Sequence, residues 1–564
     1  MSEPALTTGE RPAQPGKGSR PSPDFAPRLL TDLLDHAVAT WGDRVAIDFL
    51  GRETRYAELG ALVEKAAHGL QALGVMPGDR VGLCLPNTPY YIILYFATLR
   101  IGGIVVNLNP LYIERELTHL IVDSGAKIVA TCDIPDILAR VGKVAGETGV
   151  RTLIVCPIAG ALPPLKSILY RLFKRKDIGR IPRDAMHVRF GSLIARRGKP
   201  RPAKVSPDDV AVLQYTGGTT GEPKAAMLTH ANLTANSAQM RFFVGDMAKP
   251  GEQEITLGVL PLFHVFALTA VLNYSVDTGA EMVLLPRFDL QQVIAAVQRT
   301  GITQLLAVPT IYGALNGLSD PDFAKLKTVV RSISGGAPLP YDTRHKFETR
   351  SGTPVVEGYG LSEASPIITC NPLDKPPKDN SAGPAFPGTI IEIRDLDDPT
   401  RLMPTGERGE ICARGPQVMK GYWNRPDADA QVFVDGALRT GDVGYLDEDG
   451  YLFLVDRQKD LIIASGFNVY PRTIEEALYE HPAIAEAVVI GIPDDYRGQA
   501  PKAFVTLAEG QTTTPDELRD FLKDKLNKIE MPRAIEIRDE LPKTLIGKLS
   551  KKELIAEEQA KTHG

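Results

Sequence analysis

The densest chemistry in the chain lies in Tyr215-Thr216-Gly217-Gly218-Thr219-Thr220-Gly221-Glu222-Pro223-Lys224. Glycines let the backbone turn tightly and bring amide N–H groups close to a polyanion. Thr216, Thr219 and Thr220 add hydroxyl donors, and Lys224 adds a full positive charge. A glycine-rich turn by itself is as often structural as functional. Here the hydroxyls and the lysine follow a β-rich run, and together they suit a triphosphate or a pyrophosphate. The run is neither a Walker motif, since no Gly-Lys-Ser/Thr follows, nor the GxGxxG of dinucleotide folds.

Other segments offer complementary groups. In Glu357-Gly358-Tyr359-Gly360-Leu361-Ser362-Glu363, Tyr359 presents a flat face for a base and Ser362 a hydroxyl. Glu363 offers a hard oxygen of the kind that Mg2+ takes alongside substrate phosphates. In Gly335-Gly336-Ala337-Pro338 the small residues leave room for a ligand to lie on the backbone. Asp442, within Arg439-Thr440-Gly441-Asp442-Val443-Gly444-Tyr445, can accept two hydrogen bonds from a ribose diol. Pro261-Leu262-Phe263-His264-Val265-Phe266 is an apolar run with one histidine, and such a histidine is more often packed than catalytic.

The elements that must position these groups read as α/β layers. Strands are expected at 209–215, 281–285 and 328–334. Asp289 is placed to cap a helix that stops near Gly301. A break is expected near Asp456-Arg457-Gln458-Lys459, followed by a smaller unit with strands at 485–491, 503–507 and 534–537. Thr514-Pro515-Asp516-Glu517 is a capping box that opens a helix to about Lys528. The stretch 542–550 reads as a loop.

The whole chain sets further bounds. With 564 residues, two or more domains are expected, and a net charge of -5 argues against a dedicated nucleic-acid binder. Cys84, Cys132, Cys156, Cys370 and Cys412 form no CxxC pair, which fits a reducing compartment better than a disulfide framework or a zinc site. No apolar run approaches the ~18 residues of a membrane span, and the N-terminus lacks the pattern of a signal peptide. The expected location is cytoplasmic. Residues 160–201 hold twelve Lys or Arg against two Asp. Within them Leu165, Ile168, Leu169, Leu172 and Phe173 interleave with Lys166, Arg171, Lys174, Arg175 and Lys176. The bland reading is a solvated helix and loop. The sharper one is a peripheral contact with anionic lipid at the inner face of the membrane, or with a polyphosphate ligand.

In their order along the chain the motifs resemble those of the adenylate-forming superfamily, which includes acyl-CoA synthetases, adenylation domains of peptide synthetases and luciferases. The resemblance spans roughly residues 30–555. The Gly-Gly form of the loop is similar to that of bacterial long-chain fatty-acid–CoA ligases, with Ala225 where a glycine is usual. The implied fold is α/β: a large multi-sheet N-terminal domain (26–456) and a small mobile α+β C-terminal domain (457–564), after a flexible tail (1–25).

The implied activity is ATP-dependent ligation of a carboxylic acid to coenzyme A through an acyl-AMP. By resemblance, the 215–224 loop holds phosphate and Glu357, Gly358 and Tyr359 hold adenine, with Tyr359 stacking on the base. Ser362 contacts phosphate, and Glu363 with Thr216 holds Mg2+. Gly335, Gly336, Ala337 and Pro338 line adenine and acyl group, and Asp442 takes the ribose. Arg457 helps hold the nucleotide, and Lys459 is the pivot of the small domain. Gly466 lets the pantetheine arm pass, while Ile463 stands where some relatives place a CoA-contacting lysine. Lys548, in Pro542-Lys543-Thr544-Leu545-Ile546-Gly547-Lys548, corresponds to the catalytic lysine; Lys543 and Lys551 are expected to be surface charges. His264 and Val265 shape the acyl pocket, and His230 is given no chemistry. Medium- or long-chain fatty acids are the expected substrates. Dicarboxylic or aromatic acids, a carrier-protein acceptor and a nucleotide-sensing binding protein are the alternatives.

Overall fold

The computed structural model describes residues 25–216, 223–245, 252–464, 467–494, 497–543 and 549–562. The run expected to lead into the glycine-threonine turn is the strand Val210–Thr216, with Ala211, Val212 and Leu213 buried. It pairs antiparallel with Lys224–Thr229, and Thr216 lies opposite Lys224. The two ends of the turn are thereby held side by side.

These strands close one edge of a seven-stranded sheet. Its remaining members, from His187–Arg189 through Thr152–Cys156, Ile128–Cys132 and Arg80–Cys84 to Ile104–Asn107, pair parallel. Parallel strands need crossover helices on the faces, so they read as continuous apolar runs; Ile128–Cys132 is buried throughout.

A second sheet of eight strands runs from Ile367–Cys370 through Val355–Gly360, Arg331–Gly335, Gln304–Ala307, Ile255–Gly258, Glu281–Leu284 and Val45–Phe49 to Arg52–Arg55. Its interior pairs are parallel and its two outermost pairs antiparallel. The helix Pro89–Arg100 is apolar on all sides and buried except at Arg100, as expected of a helix covered all round. Its Tyr91 hydroxyl lies 2.7 Å from Asn107 Oδ1, at the end of a strand in the first sheet. It also lies 2.9 Å from the Leu262 carbonyl, just past a strand of the second. The junction of the two sheets is therefore both packed and hydrogen-bonded.

A third sheet holds Ile390–Arg394, Gly409–Arg414, Ala437–Leu446, Phe433–Val434 and Leu452–Arg457. After the 3-10 turn Gln458–Asp460, a fourth sheet packs its own apolar cluster around Ile474, Val489, Val505 and Leu518.

Local signals placed several elements well. Asp289 caps Leu290–Thr300 through a 2.9 Å bond from the Gln292 amide, and Gly301 ends it at φ 72°. The strand expected at 328–334 starts only at Arg331, because Ala324–Thr328 forms a 3-10 helix. Phe323 and Leu326 bury there, and Val329 donates back to the Leu326 carbonyl. The helix opened by Thr514 ends at Leu522, short of Lys528. Asn527 Oδ1 accepts from the amides of Ile529 and Glu530, which starts a separate turn.

His230 begins the helix His230–Val244 and is buried, with its Nδ1 accepting from the Leu30 amide at 3.2 Å. Burial lowers its pKa from 6.5 to about 4. The folded state favours neutral imidazole, so this contribution is present above pH 6.5 and lost as the pH falls towards 4. Its full size is roughly 3 kcal/mol, from ~1.4 kcal/mol per unit. In His230→Asn, the loss of urea stability between pH 7 and pH 4.5 should be about 2 kcal/mol smaller than in the parent. Equal pH dependence of the two unfolding curves would remove the assignment.

Candidate active site

A cleft of about 2800 Å3 opens where carboxyl ends of parallel strands from both large sheets meet. That is where α/β sheets leave backbone groups uncovered and place ligands. Asn107, Gln214 and Thr216 reach it from one sheet; Val308, Gly335 and Glu357 reach it from the other. Of the residues singled out in the sequence, Tyr215, Thr216, His264, Val265, Gly335, Gly336, Ala337, Pro338, Glu357, Gly358, Tyr359, Ser362, Glu363, Asp442, Arg457 and Lys459 all line it. Gly217, Gly218, Thr219, Thr220, Gly221, Gly466 and Lys548 lie outside the described residues.

One end of the cleft is built around Asp442. The Tyr359 hydroxyl donates to its Oδ2 at 2.6 Å, and Arg457 Nε lies 3.2 Å from its Oδ1. Burial, and then the Asp442 charge, hold the Tyr359 phenol well above its usual range, so it stays a donor. The tight turn expected around Asp442 is instead an irregularity within the strand Ala437–Leu446, where Gly441 takes φ 72° and the register against Gly409–Arg414 shifts; Asp442 lines the cleft beside it. The Gly441 amide donates to Glu410 Oε1 at 3.2 Å, and the Asp442 amide to Thr440 Oγ1 at 3.1 Å. A carboxylate has about four lone-pair sites, so Asp442 keeps acceptor capacity for a diol beside its two partners. Next to it, the Leu339 amide donates to Glu357 Oε2 at 3.1 Å and ties the turn after Gly335 to the neighbouring strand. Burial raises the Glu357 carboxyl above its ordinary range. Gly360 is required by contact: a Cβ there would fall 2.0 Å from the Pro366 carbonyl oxygen.

Glu363 stands on the turn Ser362–Ala364, and its Oε1 accepts from the Tyr422 hydroxyl at 2.8 Å. Lys224 Nζ lies 5.5 Å from the centre of the same Tyr422 ring. Thr216 Oγ1 reaches the Lys224 carbonyl at 3.4 Å. The hydroxyl of Tyr215 is committed elsewhere, donating to Asp123 Oδ2 at 2.7 Å, and Arg425 closes on the other oxygen at 2.7 Å. Tyr215 thus anchors the strand end through its hydroxyl.

The other arm of the cleft is apolar, with Met240, Phe243, Phe266, Ile333 and Phe386 among its walls. His264 caps the short helix Val265–Ala267 by accepting from the Phe266 amide at Nδ1, which leaves the proton of a neutral ring on Nε2. A Cβ on Gly335 would come within 3.2 Å of the Phe266 ring, so the bare glycine sets how close that ring lies to the floor.

The small sheet supplies the charged wall. Lys543 and Lys551, expected as surface charges, both line the cleft; Lys543 is exposed as expected, while Lys551 is partly buried. Lys543 pairs with Glu486 at 2.6 Å and Lys551 with Glu475 at 3.1 Å. The carboxylates come from the strand Ile484–Asp494 and the helix Pro471–Tyr479, which sequence distance hides. Burial, and then Arg457, hold the Lys459 ammonium below its usual range. Burial pushes the Asp456 carboxyl up to about 6 although Arg472 and Arg457 amides donate to it.

Sequence reasoning missed Tyr422, Gln214 and Asn107. Gln214 accepts from Asn107 Nδ2 at 2.9 Å and donates to the Phe263 carbonyl at 3.2 Å. A glutamine in an otherwise apolar buried strand was a signal for it. Tyr422 follows Gly421, whose φ of 140° only glycine takes readily, and that pairing was the signal there.

Comparison with known proteins finds similar chains over most of the length. A family profile described as AMP-binding enzyme matches residues 34–423, and one described as AMP-binding enzyme C-terminal domain matches 473–548. A long-chain-fatty-acid–CoA ligase of Bacillus subtilis is 40% identical over 540 residues, 95% of this chain and 96% of that one. One from Yersinia pestis is 38% identical over 542 residues, 94% of each. Among solved structures, ATP-bound MatB from Rhodopseudomonas palustris superposes with a TM-score of 0.81 at 31% identity, covering 93% of this chain and 98% of that one.

Asp442→Ala removes the acceptor shared by Tyr359 and Arg457. It should weaken AMP binding, read by calorimetry, at least about tenfold, the scale for losing a charged hydrogen-bond partner. Unchanged AMP affinity would sink the ribose assignment.

Proposed function

The chain belongs to the AMP-binding enzyme family and is an AMP-forming acid–CoA ligase, and from that premise we propose that its acid is a medium- or long-chain fatty acid. The observation that supports this reading is the shape of one cleft. The Tyr359–Asp442–Arg457 group stands at its polar end, and an apolar arm beyond His264 leads away from it.

A carboxylate oxygen is a poor leaving group, and joining the acid to AMP replaces it with a good one. The acid's oxygen attacks the α-phosphorus of ATP, and pyrophosphate departs with its electron pair. Both reactants are anions, so the residues around them must offset repulsion; positioning and charge stabilisation carry the step. On this reading Tyr359 stacks on adenine, Asp442 takes the ribose hydroxyls and Ser362 and the 216–224 loop take phosphate. Lys548 reaches the reacting carboxylate and α-phosphate. When bound, Mg2+ supplies charge neutralisation at the triphosphate, and Glu363 with Thr216 would hold it. One carboxylate and one hydroxyl fit an ion that draws its other ligands from phosphates and water. Among the described residues no group of three or more His, Cys, Asp or Glu forms a separate metal cage.

In the second step the thiol of CoA attacks the adenylate carbonyl and AMP leaves. Lys548 is needed at the phosphate first and obstructs the thiol afterwards. We take residues 26–456 and 457–564 to move as two units about Lys459, which withdraws Lys548 and brings up the surface around Gly466. Closure also keeps water from the acyl-AMP.

Lys548→Ala should slow adenylation roughly 10²–10³-fold and spare thioester formation from supplied acyl-AMP. Equal loss in both half-reactions would refute its role. Lys459→Pro should keep pyrophosphate exchange and impair transfer to CoA; normal transfer rates would rule out the pivot. A thioester assay over acids from short to long, with α,ω-dicarboxylates and aromatic acids included, should show the highest kcat/KM for medium or long monocarboxylates. A maximum at a dicarboxylate or an aromatic acid would overturn the substrate assignment.

A further inference from the structure

The basic segment stays outside the cleft. Its helix Pro164–Phe173 has no buried residue. Leu165, Ile168, Leu169 and Leu172 recur at i, i+3, i+4 and i+7, and Phe173 extends the same stripe by one position. In a surface helix such a stripe normally faces the core. Here the order is reversed. Ser167 and Tyr170 are the helix residues that are partly covered, and Tyr170 packs on the main core. The stripe points outward, with exposure from 43% at Leu169 to 78% at Phe173. These five make up a third of the fifteen large apolar side chains that are exposed among the described residues, gathered in one helix of ten residues.

The charge on the helix and the three residues after it is of one sign. Residues 164–176 contain Lys166, Arg171, Lys174, Arg175 and Lys176 and no Asp or Glu. Lys174 comes no closer than 3.7 Å to Asp177, a pairing between two exposed side chains that offsets little. Lys166 is spent on the Leu50 carbonyl at 2.8 Å, which fastens the helix to the turn between Val45–Phe49 and Arg52–Arg55. The helix is therefore held by its polar side with its apolar side free.

We propose that this helix is a membrane-docking device: Leu165, Ile168, Leu169, Leu172 and Phe173 enter the headgroup–acyl boundary of a bilayer while Arg171 and the 174–176 cluster bind anionic lipid. Charge complementarity selects this occupant. A second copy of the chain would bring the same positive cluster against itself, whereas an anionic bilayer supplies both the apolar depth and the opposite charge that such a helix needs. No described helix is long and apolar enough to cross a membrane, so the contact is one of lying on the surface. The proposal does not depend on which acid the cleft accepts.

The test is co-sedimentation of the full chain with large vesicles of phosphatidylcholine, alone or with about 30 mol % phosphatidylglycerol. The chain should pellet with the anionic vesicles, at least about tenfold more strongly than with neutral ones, and added salt should weaken binding. Leu165→Gln/Leu172→Gln/Phe173→Gln and Arg171→Gln/Arg175→Gln/Lys176→Gln should each reduce binding at least about tenfold. Their Tm values should match the parent's, because none of these side chains is buried. No pelleting with anionic vesicles, equal pelleting with neutral ones, or triple variants that bind like the parent would overturn the proposal. So would a concentration-dependent dimer, seen by sedimentation velocity, that the apolar triple variant abolishes; the stripe would then belong to a second copy.

Discussion

The carboxylate of Asp442 joins a strand of the eight-stranded sheet to the end of the neighbouring strand that leads into the small unit. It accepts from Tyr359, at the end of a strand in the eight-stranded sheet, and faces Arg457, the last strand residue before the Gln458–Asp460 turn. Asp442 and Arg457 are also direct partners in an antiparallel pair, so the sheet fixes the distance between them before any side chain chooses a rotamer. The carboxylate proposed to take the ribose and the start of the segment proposed as the pivot are thus the two sides of one ladder. A ligand that competes for Asp442 changes the surroundings of Arg457 directly, and the small unit begins within a few residues of it.

The cleft divides by chemistry because the sheets divide it. The polar end uses backbone turns at strand ends, where N–H and C=O groups lack sheet partners. The apolar arm uses side chains such as Met240 and Phe243, from the helix His230–Val244, and Ile333, from a strand. The charged wall comes from the small sheet, where Glu475 and Glu486 neutralise Lys551 and Lys543. Paired lysines at that wall leave unpaired positive charge to be supplied by another residue, the role proposed above for Lys548.

Lys551 illustrates how burial and pairing balance. Burial alone would lower its pKa, but Glu475, Asp456 and Asp460 more than offset this, and its ammonium stays charged inside the cleft wall. Asp456 lacks an equally strong partner and sits high, at about 6. The segment that would have to rotate therefore carries a carboxyl that is uneasy as an anion in this arrangement.

What the sequence determined by itself was carried by short-range geometry. The Asp289 and Thr514 caps and the strand that ends at Thr216 were legible because each depends on neighbours within a few positions. The companions of the motif residues were not. Tyr422 meets Glu363 across 59 residues of chain and Gln214 meets Asn107 across 107, and no local rule encodes such pairings. The same limit governs the basic helix. Its spacing fixes that one face is apolar, since 3.6 residues per turn follow from the backbone alone. Whether that face looks inward or outward depends on which side the rest of the molecule covers, and only the packed structure, with Tyr170 turned in and Phe173 turned out, decided it.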